Sequence, residues 1–141
     1  MAVARTSAEL VEVIGGESRR LILRNSEIER FEVQYAPFGI FELWDQLIGK
    51  SAPPQVRHVR DLVALGLIGA GMDDVKADGL LASLPPSDNL FLRGVAVRLL
   101  GLAFVPAAIK PQKKSDGSRS VKARAEPSDT TPASGSETSA A

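Results

Sequence analysis

The sequence contains no cysteine, a single histidine and few aromatic residues, and these scarcities limit the kinds of site that the protein can form. Without cysteine there is no disulfide framework, no thiolate metal site and no cysteine nucleophile. Basic residues number 17 and acidic residues also 17, so the whole chain has no net charge that would draw it to nucleic acid. A charged partner would have to be bound by a local patch.

Long apolar runs are also missing. The N-terminus lacks the continuous apolar stretch of a secretory signal, so it is predicted to belong to the mature chain. The longest apolar segment, 90–105, is interrupted by Arg93 and Arg98 and is too short to cross a bilayer comfortably. We therefore expect no membrane partner and take the cytoplasm as the default compartment.

Composition changes sharply near residue 107. From residue 110 onward there is one valine and no aromatic residue, so this part cannot bury enough surface to order itself. The sequence thus predicts a flexible N-terminus (1–8), one globular domain (9–106) and a disordered tail (107–141). The segment 110–124 carries six basic residues and one acidic residue, and a solvated tail is the preferred interpretation of that charge.

The order of the predicted elements defines the fold class. Two short runs, Glu9–Ile14 and Arg19–Arg24, are rich in leucine and β-branched residues and flank a Gly-Gly pair, which predicts a β-hairpin. Apolar residues then recur at spacings of three and four, which indicates helices. We predict an α+β, mostly α fold: an N-terminal β-hairpin, a bundle of about five short helices and a disordered C-terminal tail.

Helix boundaries follow from capping signals and from proline. Ser26 and Glu29 have the spacing of a capping box, which predicts that the first helix starts at Ser26. A second helix is expected from Phe38 to Ile48. A third carries an apolar residue at every third or fourth position, namely Val56, Val59, Val63, Leu67 and Ala70. A fourth is predicted near 75–84, capped by Asp73 or Asp74, and a last one ends at Phe104.

Three glycines in the segment 61–74 raise the question of a phosphate-binding loop. A dinucleotide fingerprint needs a third glycine where this chain has Asp74, and it must follow a strand rather than a helix. The prediction is therefore structural: Gly66 allows close packing, while Gly69 and Gly71 end the third helix and turn the chain.

No catalytic, cofactor-binding or metal-binding residue is predicted, and no cofactor is expected. His58 is placed on the solvent side of the third helix, without an oriented partner or a nucleophile. Two acidic groups could offer metal ligands, but both suit the positive end of a helix dipole. These groups are Glu27, Glu29 and Glu32, and Asp73, Asp74 and Asp78.

Five of the aromatic residues lie within one short stretch, from Phe31 to Trp44. Most of them are expected in the core. This stretch and the apolar last helix nevertheless offer more apolar surface than a domain of this size readily buries, so some of it is expected to face a partner. The candidate partner-binding residues are Phe38, Phe41, Trp44 and Leu47.

Roughly from Glu9 to Ala107, the chain resembles the gene transfer agent gp10-like family, which is grouped with phage tail assembly chaperones and tail tube proteins. The resemblance is a pattern of elements rather than an active-site motif. Besides the hairpin, it is carried by the segments "LRNSEIERFE", "FELWDQLIG", "VRDLVALGLIGAGM" and "FLRGVAVRLLGLAFVPA".

The resemblance implies a function without catalysis. Tail assembly chaperones cover the tape measure protein until tube subunits polymerise around it, so the expected partner is the tape measure protein, with the tail tube protein as a further candidate. Whether the protein forms a homo-oligomer is left open. The expected compartment is the bacterial cytoplasm, with the protein encoded by a phage or a prophage. The alternative within the family is a structural tail tube component retained in the particle.

The weakest hypothesis is an accessory protein that binds nucleic acid through the basic segment 110–124. Residues 1–106 carry eleven basic and thirteen acidic groups, so the domain itself gives it no support.

Overall fold

A computed structural model describes residues 8–106 of the chain. This part forms an antiparallel two-stranded sheet followed by five α-helices, which confirms the predicted α+β, mostly α fold. The predicted disordered tail and nearly all of the predicted flexible N-terminus lie outside the described residues. The elements are β1 (Leu10–Ile14), β2 (Glu17–Leu21), α1 (Asn25–Tyr35), α2 (Ile40–Leu47), α3 (Val56–Gly69), α4 (Asp74–Ser83) and α5 (Asn89–Phe104), with a 3-10 turn (Pro86–Asp88) just before α5.

The hairpin is closed by a two-residue turn. Gly15 and Gly16 both have positive φ, at 66° and 87°, which is the conformation that a tight hairpin turn requires. Because this turn joins the strands directly, β2 begins at Glu17, two residues earlier than predicted. It also ends earlier, at Leu21. The register pairs Leu10 with Leu21 and Ile14 with Glu17, so one face of the sheet turns apolar residues toward the core.

The predicted capping box at the start of α1 was wrong by two residues. The helix begins at Asn25, and Glu27 rather than Glu29 accepts the hydrogen bond from the preceding main chain, with Arg24 N–H donating to Glu27 Oε1 at 2.9 Å. The Arg24 guanidinium binds the same carboxylate at 2.9 Å. Ser26 Oγ also donates to it, at 2.9 Å, so the hydroxyl orients Glu27 instead of capping the helix.

Carboxylates satisfy main-chain donors at the starts of α2 and α4. α2 begins at Ile40 rather than at Phe38, and Glu42 accepts the N–H of Gly39 at 2.8 Å. Asp73 caps α4, as predicted. In both helices an acidic side chain satisfies a main-chain donor that the first turn leaves free.

α3 is the central helix, and glycines let it approach its neighbours closely. A Cβ at Gly66 would lie 2.6 Å from Leu99 Cδ2, and a Cβ at Gly69 would lie 2.0 Å from the carbonyl oxygen of Ile22. Gly66 therefore has the predicted packing role. Gly69 is the last residue of α3, as predicted, and it also allows close approach, while the chain turns at Gly71 with φ of 113°. The glycines of this segment act in packing and chain reversal.

One apolar cluster joins the sheet and all five helices. Its largest fully buried side chains are Phe31, Ile14, Leu21, Leu43, Leu62, Leu67, Leu92, Leu99, Leu100, Val63 and Val95. Among residues 8–106, no helix combines the length and the apolar character needed to cross a membrane.

Candidate partner-binding surface

Apolar side chains are exposed where α2 meets the end of α5. Phe41 is 71% exposed, Val105 43% and Ile48 41%, while Trp44 and Phe104 are half-buried. We call this surface the α2 patch; it consists of Phe41, Trp44, Ile48, Phe104 and Val105.

The geometry of the α2 patch follows from helical spacing and one long-range contact. Spacings of three and four place Phe41, Trp44 and Ile48 along one side of α2. The Phe104 ring, on α5, has its centroid 5.6 Å from that of Phe41 and 5.6 Å from that of Trp44, which it meets at 76°. Because the rings support one another, the patch offers fixed aromatic area that loses little conformational freedom when a partner binds.

Two exposed acidic residues of α2 lie beside the α2 patch, and the basic residue Lys50 follows Ile48 two positions later. Glu42 and Asp45 lie on α2 between the patch residues, and both are exposed. They therefore give the margin of the patch a negative charge. A partner with basic residues beside its apolar contacts would be attracted to this margin.

The four residues that the sequence predicted for partner binding lie in three different environments. Phe41 and Trp44 belong to the α2 patch. Leu47 is 6% exposed and lies in the core, so it supports the patch from beneath and is not part of the surface. Phe38 is half-buried and stacks on His58, in a different aromatic group.

Sequence reasoning did not place Phe104 and Val105 in the site. They lie about sixty residues from α2 along the chain, and only the packing of α5 on α2 brings Phe104 to Phe41, with Val105 next to it in the chain. The one available signal was the apolar character of the last helix on nearly all sides, which indicated surplus apolar surface but not its neighbour.

The prediction that His58 faces solvent was wrong. The side chain is 3% exposed, stacked on Phe38 with ring centroids 4.4 Å apart and an angle of 13°. Tyr35 and Phe31 enclose it edge-on, at 4.5 Å and 5.9 Å. The periodic apolar residues marked only one side of α3, whereas α1, α4, α5 and β2 pack around this helix and bury eight of its fourteen residues.

This aromatic group holds its titratable members in neutral form. Burial lowers the pKa of His58, Arg57 lowers it further, and Asp61 only partly offsets them. His58 Nδ1 has no hydrogen-bond partner within residues 8–106. Tyr35 donates its hydroxyl hydrogen to Asp61, and burial together with that carboxylate raises the pKa of Tyr35 to about 12.

Acidification should therefore destabilise the fold through His58. Since its folded-state pKa lies below its ordinary value of about 6.5, the unfolded chain takes up the proton first, and stability falls as pH drops from about 6.5 toward the folded-state pKa. The slope is at most about 1.4 kcal/mol per pH unit, the limit for one proton. Urea unfolding at several pH values should show this slope in the parent protein and not in His58→Leu. An equal slope in the variant would contradict the assignment.

Four of the six acidic residues considered as metal ligands, namely Glu27, Glu32, Asp73 and Asp74, make hydrogen bonds or ion pairs within the fold. Burial raises the pKa of Glu27, but hydrogen bonds from Arg24 and Ser26 outweigh it, so the net pKa is lowered and the carboxylate stays ionised. Glu32 accepts the N–H of Ile40 at 2.9 Å. Within residues 8–106, no group of three or more histidine, aspartate or glutamate side chains is placed to hold a metal ion.

A polar cleft of about 370 Å³ lies between α1, α3 and α4. Its charged residues make contacts within the protein. Arg30 binds Asp74 of α4 at 3.1 Å, and Asp61 accepts from α1 residues including Gln34, also at 3.1 Å. Arg60 donates to Asn89 at 3.1 Å. These bonds connect the helices around the cleft.

Comparisons of the chain with family models, with curated proteins and with solved structures found no match. The family resemblance therefore stays a prediction from the sequence, and the case for a binding site depends on the geometry of the α2 patch.

Proposed function

We propose that this chain is a non-enzymatic tail assembly chaperone of a phage or gene transfer agent, and that it binds the tape measure protein during tail assembly. The observation that carries the proposal is the exposed aromatic surface formed by Phe41, Trp44 and Phe104. The resemblance of the sequence supplies the identity of the client. The expected setting is the bacterial cytoplasm, where tails assemble.

The α2 patch suits an apolar helix as its partner. A tape measure protein is a long helical protein that needs a temporary cover before tube subunits enclose it. A client helix presents apolar side chains at spacings of three, four and seven, which can lie against the rings and against Ile48 and Val105. The fixed rings would supply most of the affinity, because buried aromatic side chains dominate such contacts.

The acidic margin selects among apolar helices. Glu42 and Asp45 favour a client segment with lysine or arginine beside its apolar stripe and disfavour one with acidic flanks. The α2 patch would therefore bind a subset of the tape measure sequence. This contribution should weaken as salt concentration rises, because both carboxylates are exposed.

Co-expression tests the proposal directly. The tape measure protein encoded beside this chain should be more soluble when co-expressed with it, and the two should co-purify. Phe41→Asp serves as the loss-of-binding variant and Val75→Asp as its control, because Val75 is 78% exposed on α4, outside the α2 patch. Absence of a complex and of any gain in solubility with the parent chain would count against the chaperone function.

The composition of finished particles separates a chaperone from a structural component. A chaperone leaves when tube subunits polymerise, so mass spectrometry of purified particles should find this chain absent or far below the tube subunit. An abundance equal to that of the tube subunit would instead support the alternative, a tail tube component.

A further inference from the structure

The outer edge of β1 is unpaired within residues 8–106. In a hairpin with a two-residue turn, the pairs 14–17, 12–19 and 10–21 carry the hydrogen bonds, so the N–H and C=O groups of Val11 and Val13 point away from β2. Within this part of the chain, neither residue has a main-chain partner on that side. Their side chains are 57% and 60% exposed on the outer face of the sheet.

This edge lacks the features that usually prevent edge-to-edge pairing. Natural edge strands commonly carry lysine, proline, a bulge or an unpaired inward charge. β1 has none of the first three, and its inward-facing Glu12 is neutralised by Arg98 of α5, whose Nε lies 2.6 Å from Glu12 Oε2. The outward-facing Glu9 is likewise paired with Arg20.

One exposed aromatic residue of α5, Phe91, continues the apolar surface beside β1. Phe91 is 44% exposed and lines a cavity of about 440 Å³ together with Val13 and Ile14. The edge is therefore bordered by apolar surface that a neighbouring molecule could cover.

We propose that β1 pairs antiparallel with β1 of a second copy of this chain, across a two-fold axis at Glu12. Val11 then forms a hydrogen-bonded pair with Val13 of the second copy, and Val13 pairs with Val11 of that copy. The two hairpins become one four-stranded sheet, whose outer face has four valines at its centre. A two-stranded sheet gains stability from such an extension.

Charge complementarity favours a second copy as the occupant of this edge. Across the axis the two Glu12 carboxylates face each other, and each is paired with Arg98 of its own chain. The four groups therefore form a neutral cluster, in which either arginine can bridge both carboxylates. On the outer face, the ion pair of Glu9 and Arg20 lies beside the valines. On that outer face, apolar contacts lie at the centre and paired charges at the rim, as in other protein interfaces.

The dimer should be weak. Its contact is a five-residue strand with Phe91 of α5 beside it, which we expect to bury less than the roughly 1,600 Å² of a typical stable interface. We therefore expect association that depends on concentration. This surface does not include the α2 patch, so its test does not depend on the proposed function.

Engineered disulfides test the register. The chain has no cysteine, so Val11→Cys and Val13→Cys each introduce one thiol. Hydrogen-bonded antiparallel partners have Cα atoms about 5.5 Å apart, within disulfide range. Under mild oxidation, a mixture of the two variants should form the 11–13 disulfide several-fold faster than either variant alone. Faster linkage of either variant to itself would overturn the register.

Analytical ultracentrifugation tests the association itself, over about 10 µM to about 1 mM. The weight-average mass of the parent chain should rise from 15.0 kDa toward twice that value. Val13→Lys should stay monomeric, and Val75→Lys, a change at the still more exposed Val75 on α4, should behave as the parent does. Circular dichroism checks that both variants are folded. A parent chain that stays monomeric throughout, with no mixed disulfide, would overturn the proposal.

Discussion

Replacing Gly69 with alanine should lower the free energy of unfolding by about 3 kcal/mol or more. The new Cβ would lie 2.0 Å from the carbonyl oxygen of Ile22, which is main chain and cannot rotate away as a side chain could. It would also come 3.1 Å from the buried carboxylate of Glu27. Relief requires α3 to move away from the segment that joins β2 to α1, which would strain the hydrogen bond from Ile22 N–H to Gly66 O at 2.9 Å.

Gly79→Ala is the matched control for this prediction. Gly79 lies inside α4, and a Cβ there would meet no atom within 4 Å, so alanine should raise the free energy of unfolding by about 0.5–1 kcal/mol. Gly66→Ala should fall between them, because its nearest neighbour is the flexible side chain of Leu99. Urea denaturation with circular dichroism gives all three values. A Gly69→Ala protein as stable as Gly79→Ala would show that α3 and the Ile22 carbonyl are not in close contact.

Replacing Phe41 with alanine should weaken binding of the tape measure protein about 30-fold, a loss of about 2 kcal/mol. Phe41 is the most exposed ring of the α2 patch, so it offers the most surface for a partner to cover. The fold should lose less than about 1 kcal/mol, since Phe41 contributes little to the core beyond its contact with Phe104. Loss of binding without loss of stability is what distinguishes a contact residue from a structural one.

Val75→Ala controls for the removal of exposed apolar surface in general. Val75 is as exposed as Phe41 but lies on α4, and it should leave the affinity within about two-fold of the parent value. Calorimetric titration with a tape measure segment measures both variants. Equal affinities for Phe41→Ala and the parent would exclude the α2 patch as the binding surface.

The hairpin and the helices could be predicted because their signals are local. A Gly-Gly pair between two β-branched runs specifies the tight turn of the hairpin. Asp73 likewise caps α4, which begins at the next residue. The start of α1 was misplaced for an equally local reason. Both Glu27 and Glu29 lie near Ser26, and Arg24 decided between them by binding Glu27 with its main-chain N–H and its guanidinium.

The environment of His58 could not be predicted because it depends on how α1 and the segment after it pack on α3. Periodicity along α3 shows which side is apolar, but not that α1 covers the other side with Phe31 and Tyr35. A histidine is also polar enough to suggest a solvent-facing position. Its burial becomes understandable only when the stacked ring of Phe38 is in place.

The candidate site was half predictable for the same reason. Phe41 and Trp44 share a side of α2, which spacing alone shows, while their contact with Phe104 depends on how α5 crosses α2. Leu47 is close to that side in the helical pattern, yet it is buried because the core lies beneath it. Spacing locates a side of a helix, and only tertiary packing divides that side between core and surface.

The fluorescence of Trp44 offers the most direct test that an apolar helical surface is where this protein meets its partner. It is the only tryptophan in the chain and lies in the α2 patch, so its emission reports on that surface alone when the added segment contains no tryptophan. Titration with an apolar helical segment of the tape measure protein that has basic flanks should shift the emission to shorter wavelength and saturate, and Phe41→Asp should abolish the shift. Unchanged Trp44 emission, with or without formation of a complex, would contradict the account.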